Sequence, residues 1–208
     1  MRLTYYRVTF ALLALALCTA SVINGQNKQP KVVAFGSDSP ERGTTRVGYW
    51  DTQKNQGLAQ FAIDYGRPVW KKDYEDSAKF DKMTKGQVYR LGSNFWTTLD
   101  TDIPLTIAGK NVPAGHWYLG LYRSEDGGTW SLCFIDPAKV RAAHLDASEI
   151  GRAPIDLKAP MTSEQSSESR EKLTIDLSFK KENLNNVTLR IAWGTIQLSA
   201  PIQVSVGS

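Results

Sequence analysis

Two cysteines and two histidines are all that 208 residues contain, and that scarcity removes several chemistries at once. Cys18 and Cys133 supply neither a CxxC pair nor the disulfide framework that staples many small exported domains. With His116 and His144 as the sole imidazoles, a two-histidine metal site would need both, plus a carboxylate brought in by folding, and no HExxH stands in the chain. GxSxG, GxGxxG and the phosphate-loop pattern are missing too. No metal and no cofactor are implied. Long apolar runs are also lacking. The stretch 8–20 is almost wholly apolar but has only 13 residues, short of the about 20 that a membrane-spanning helix needs.

What that stretch does resemble is the core of a secretory signal peptide. Arg2 and Arg7 give it a positive flank, and small residues allow cleavage after Ala20 or after Gly25. A lipoprotein ending at Cys18 is the lesser alternative, because Leu17 is not the small residue expected before a lipidated cysteine. The expected organisation is a signal peptide over 1–25, an N-terminal extension with possible short strands over 26–57, and one β domain over 58–208. Cleavage after Gly25 would leave 183 residues with 23 basic and 21 acidic side chains. That is a normal single-domain length with a net charge of +2 and no concentrated basic surface, so nucleic acid is not an expected partner. The implied location is periplasmic or extracellular, with no membrane span after cleavage. Cys133, in WSLCFI, reads as a small buried hydrophobe.

Beyond residue 55 the dominant signal is period-two alternation, the mark of half-buried strands. Phe61, Ile63 and Tyr65 share one face of AQFAIDY; Leu173, Ile175, Leu177 and Phe179 one face of LTIDLSF; Val187, Leu189, Ile191 and Trp193 one face of VTLRIAW. SEDGGT, AGKN and PAG supply turn chemistry between apolar segments. Helix signals are minor. DPAKVRAAHLDASEIG offers Asp136 as N-cap, Pro137 at the first helical position and Gly151 as a C-terminal cap, and KDYEDSAKFDKMTKG holds a turn or two. The polar stretch 162–172 reads as an exposed connection. The expected fold is all-β: an antiparallel β-sandwich or open barrel with one or two short helices.

Three segments, IDYGRPVW (63–70), GQVYRLGSNFWTT (86–98) and TIAGKNVPAGHWYLGLY (106–122), resemble in order and spacing the bacterial secreted family catalogued as domain of unknown function 2911. The matching residues are Tyr65, Gly66, Arg67 and Pro68; then Val88, Tyr89, Arg90, Gly92 and Asn94; then Gly109, Pro113, Ala114, Gly115 and Tyr118. Tyr89, Ser93, His116 and Trp117 depart from the family's usual residues. The resemblance implies export and a β-rich domain over roughly 58–206, and it implies no activity.

Arg67 and Arg90 are the most informative polar residues within those motifs. Each guanidinium lies beside aromatics in sequence and offers a planar fork of donors suited to carboxylate or phosphate, while Asn94 adds an amide. Convergent polar groups beside aromatic faces are the parts of a sugar site. The competing reading makes both arginines braces, bonded to loop carbonyls and to acids such as Asp64 or Asp100, and the brace is favoured. Trp50, Trp70 and Trp96 could form an exposed platform, whereas Trp117, Trp130 and Trp193 fall on core faces. His116 follows PAG at a strand start and could act as a general base, although a hydrogen-bonded surface histidine is the more ordinary role; His144 falls in the expected helix. The acidic pairs Asp100 with Asp102 and Glu125 with Asp126 read as solvated turn charges. The resulting expectation is a non-enzymatic binding or envelope-associated module for a carbohydrate or other small polar ligand, contacted by Arg67, Arg90 and Asn94 with Trp96 and His116 at the margin. The alternatives are an envelope hydrolase with His116 as base and an arginine stabilising negative charge, and a structural or protein-interaction domain.

Overall fold

Alternating sequences that can each bury one face need strand partners, and here twelve strands pair in a single antiparallel sheet. The computed structural model describes residues 41–164 and 168–206. The expected signal peptide, Cys18 and the first part of the 26–57 segment lie outside them. In chain order the elements are β1 (Arg42–Asp51), β2 (Gln56–Gly66), α1 (Ser77–Thr84), β3 (Val88–Arg90), β4 (Thr97–Thr101), β5 (Leu105–Ile107), β6 (Lys110–Val112), β7 (Gly115–Arg123), β8 (Trp130–Ile135), α2 (Pro137–Ala142), β9 (Leu157–Glu164), β10 (Arg170–Lys180), β11 (Asn183–Gly194) and β12 (Ile196–Val204).

The main sheet runs β1-β2-β4-β7-β8-β9-β12-β11-β10. β9 carries it from one half to the other, pairing with β8 through residues 157–161 and with β12 through 162–164. This makes residues 162–164 strand rather than loop, and 170–172, the other end of the expected connection, already belong to β10. Thr162, Ser163 and Glu164 are polar because the backbone, not an apolar face, is what they contribute there.

The inner faces of both halves meet in one core, with Phe61, Ile63, Leu99, Leu119, Ile175 and Leu189 all at most 2% exposed. Burial of this kind contributes about 25 cal/mol per Å² of apolar surface. Trp130 is buried in this core, and Trp117 and Trp193 pack against it, as their alternation implied. Cys133 is fully buried between β7 and β9, and burial pushes its thiol up to about 11.

The two end strands, β1 and β10, come side by side without a continuous backbone ladder. Tyr65 Oη accepts from Ile175 N–H at 3.0 Å and donates to Ile175 C=O at 3.3 Å, and Thr45 Oγ1 accepts from Leu177 N–H at 3.1 Å. Side-chain hydroxyls therefore stand in for strand partners along this seam. The sheet stays open there, curled until its edges touch.

The expected helix over 136–151 is two short pieces. Asp136 caps α2 with Pro137 at its start, but His144 adopts φ 53° after the last turn. A separate 3₁₀ segment then follows over Ala147–Arg152 with its own capping box on Asp146. Gly151 lies inside that segment and is not a cap. These pieces cover the outer face of β7 and β8 through a second, smaller apolar cluster of Ile135, Val140, Ile150 and Ala153.

Candidate functional site

β3 and β4 are two parts of one strand. Arg90 pairs with Gly120 and Thr97 with Leu119, so consecutive positions on β7 are met by residues seven positions apart. The excursion 91–96, LGSNFW, bulges out between them. Its backbone demands special residues: Gly92 has φ 105° and Asn94 φ 63°, both in the left-handed region that few side chains tolerate. Gly66, at the end of β2, lies so close to Ser93 that a Cβ there would collide with its backbone carbonyl.

Both motif arginines serve this junction. Arg90 donates to the Asn94 carbonyl at 2.8 Å and so ties off the excursion. Arg67 donates through Nε to the Leu173 carbonyl at 3.2 Å and through Nη1 to Glu41 at 2.5 Å, joining the end of β2 to β10. The acidic partner is Glu41. Asp64 and Asp100, the acids expected from sequence, engage Arg42 and His116 instead, because alternation points both of them to the outer face of the sheet. Asn94 is exposed and takes part through its backbone.

The excursion also delivers Trp96 to the outer face, where it stacks on Tyr118 with ring centroids 4.5 Å apart and planes 3° from parallel. Around that pair runs an open groove of ≈ 280 Å³ whose lining includes Arg42, Asp64, Thr98 and His116. Two cross-strand rows position its lining: Asp64, Thr98 and Tyr118 follow Thr44 in one, and His116 ends the next, after Arg46, Ala62 and Asp100. Arg42 grips Asp64 through Nε at 2.7 Å and through Nη2, and its guanidinium lies 5.8 Å from the Phe95 ring. His116 Nδ1 meets Asp100 Oδ1 at 2.5 Å, which leaves Nε2 free of that bond. The ring of His116 also stands edge-on to Tyr118 at 5.6 Å.

Of the five residues singled out from sequence, the structure thus brings Trp96 and His116 to one groove and places Arg67, Arg90 and Asn94 at the junction behind it. Asp100 is a strand residue holding His116, not a solvated turn charge. Asp126 is the turn residue expected, accepting from Gly128 N–H at 2.9 Å. The three uncommitted tryptophans form no joint platform. Trp50 is exposed at a hairpin end, and Trp70 packs edge-on against Tyr74 and Trp193.

Sequence reasoning missed Arg42, Phe95, Thr98 and Tyr118, and took Asp64 only as a brace partner. The alternation placing Asp64, Thr98 and Tyr118 on outward faces was available. The register that aligns them was not.

A model of a protein family of unknown function, DUF2911, matches residues 50–202, from the end of β1 to the last strand. The chain belongs to the DUF2911 family. No curated protein and no solved structure matches it. The DUF2911 match covers the lining of the groove except for Arg42, which β1 contributes from before residue 50. Among the described residues of this DUF2911 chain no group of three or more His, Cys, Asp or Glu is placed to hold a metal ion.

Proposed function

We propose that this protein is an exported, non-enzymatic binding module whose outer-face groove takes a carbohydrate. The observation that carries the reading is the Trp96–Tyr118 stack, half-buried beside paired charged groups. A sugar ring has an apolar face and a rim of hydroxyls. An aromatic platform receives the first, and groups that both donate and accept receive the second. Asp64 and Asp100 supply acceptors, Arg42 and Thr98 donors, and His116 either through Nε2. The groove is shallow and open, as suits one face of a polymer chain rather than an enclosed metabolite. Export is supported by the charged and apolar pattern of residues 1–25, with the periplasm or the exterior as destination.

The test is titration of the protein with neutral and acidic oligosaccharides, followed by calorimetry. Binding is expected, and Trp96→Leu and His116→Ala are each expected to weaken it about tenfold or more while the fold persists by circular dichroism. His116→Ala removes an exposed side chain, so a normal melt with lost binding would place the ligand at the groove. Binding unchanged in both variants would place it elsewhere, and an absence of binding across the panel would sink the carbohydrate reading. The short His116–Asp100 contact favours a hydrolase as the second reading. Product analysis of the same mixtures decides it: cleavage abolished by His116→Ala would replace a binding module with an enzyme.

A further inference from the structure

Of the seven large apolar side chains exposed among the described residues, four (Trp50, Leu58, Phe179 and Leu184) belong to two hairpins, β1–β2 and β10–β11. Those hairpins reverse at one end of the sheet. Leu177 N–H donates to Thr45 Oγ1 at 3.1 Å, and further along Tyr49 Oη donates to the Leu184 carbonyl at 2.9 Å, so the two ends lie side by side. Trp50 is the most exposed of the set, at 59%. An apolar group in this concentration, on a molecule that has already filled its core, is a surface meant for contact.

The charges beside it give the sign of the partner. Lys54, Lys180 and Lys181 are exposed on the same two reversals. Of the two acids there, Asp51 accepts from the N–H groups of Gln53 and Lys54 at 2.9 and 3.0 Å and meets Lys54 Nζ at 3.5 Å; Glu182 is exposed, which leaves Lys180 and Lys181 as the basic excess. Next to Phe179 the β10–β11 end carries a hollow of ≈ 270 Å³ lined by Ser178, Lys180, Asn183, Asn186 and Thr188. Hydroxyls, amides and an ammonium can all donate hydrogen bonds, and no carboxylate lines the hollow. Its chemistry suits a phosphodiester.

We propose that these paired hairpin ends dock the protein on the surface of an anionic phospholipid bilayer. Trp50, Leu58, Phe179 and Leu184 enter the interfacial layer, where aromatic side chains are favoured. The lysines lay their stems along the apolar groups and set their ammonium heads against lipid phosphates. The donor-lined hollow receives one headgroup. The attachment proposed is peripheral, made by the two hairpin ends alone; no helix among the described residues is long and apolar enough to cross a membrane. It also leaves the outer-face groove, on the same half of the sheet as β1 and β2, open to a ligand from the side.

Sedimentation of the full chain with phosphatidylcholine vesicles, with and without phosphatidylglycerol, tests this. The full chain carries the largely apolar residues 8–20, so the decisive reading is the difference among chains that all share them: wild type, Trp50→Ser with Phe179→Ser, and Lys54→Glu with Lys180→Glu and Lys181→Glu. Wild type is expected to bind the anionic vesicles, the lysine reversal about tenfold or more weakly, and the apolar variant scarcely at all. A second measurement needs no folded double variant: brominated lipid should quench wild-type tryptophan emission, with the quenched component absent in Trp50→Phe. Equal sedimentation of all three chains, no binding by wild type, or no quenching at Trp50 overturns the proposal. So does Trp50-dependent self-association without vesicle binding, which would make a second copy the partner.

Discussion

At the scale of single residues, the chain's conspicuous motif arginines turn out to hold backbone, and the candidate groove lies among residues of ordinary appearance. Gly66 and Gly92 are required by geometry: one lies against Ser93, the other adopts a left-handed φ with Thr97 and Gly66 close by. Gly66→Ala is expected to destabilise the fold by about 1–3 kcal/mol, the usual effect of forcing a methyl against fixed backbone. A chemical-denaturation midpoint measures it, and an unshifted midpoint would show that the excursion yields. Arg67→Ala should shift that midpoint further than Arg90→Ala, because Arg67 joins β2 to β10 whereas Arg90 closes only its own loop. The brace reading of both arginines was legible in their setting beside a proline, a glycine and an asparagine. Their partners were not, since Glu41 and Leu173 are brought to Arg67 by strand pairing alone.

At the scale of elements, the open seam between β1 and β10 is the most unusual join. Tyr65 Oη is buried, and it both accepts from and donates to Ile175. Tyr65→Phe keeps the ring and removes those two bonds, leaving a buried N–H and C=O without their partner. The expected loss is about 1–3 kcal/mol. Hydrogen exchange should show it concentrated at Ile175 and Leu177; a uniform loss across the sheet would mean that the seam opens only with the whole molecule. The strands themselves were readable from alternation, and α2 from its Asp-Pro start. The excursion 91–96 was not, because GSN reads equally as a turn between separate strands. Only the register of Arg90 and Thr97 on adjacent residues of β7 shows that one strand is interrupted. That register is also what carries Trp96 to Tyr118, so the candidate groove was hidden for the same reason.

For the molecule as a whole, acid should be the effective denaturant. The Asp81 carboxyl is held below its ordinary value by bonds from Lys85 first and then Arg123, and Glu41 by a bond from Lys172 first, with Arg67 adding to it. A carboxylate depressed in the folded state binds fewer protons than in the unfolded chain. Its stabilisation is therefore complete above the unfolded value, near 4 for both acids, and is lost as pH falls through the lower folded one. Urea midpoints are expected to be level from pH 7 to about 5 and to fall steeply below about 4. Added salt should blunt the effect, more at the exposed Glu41 than at the half-buried Asp81. A flat profile down to pH 3 would show that neither cluster matters to stability.

The curled sheet also imposes an order on how the molecule is made. Residues 42–135 pair largely among themselves as β1, β2, β4, β7 and β8, and these can assemble while the rest of the chain is still being synthesised. The face of those strands and the free edge of β1 then wait for β10, whose Leu177 lies 132 residues beyond its partner Thr45. Such long-range closure is slow. During that interval the nascent protein presents an apolar sheet with an unpaired edge, the form most prone to stick to its neighbours.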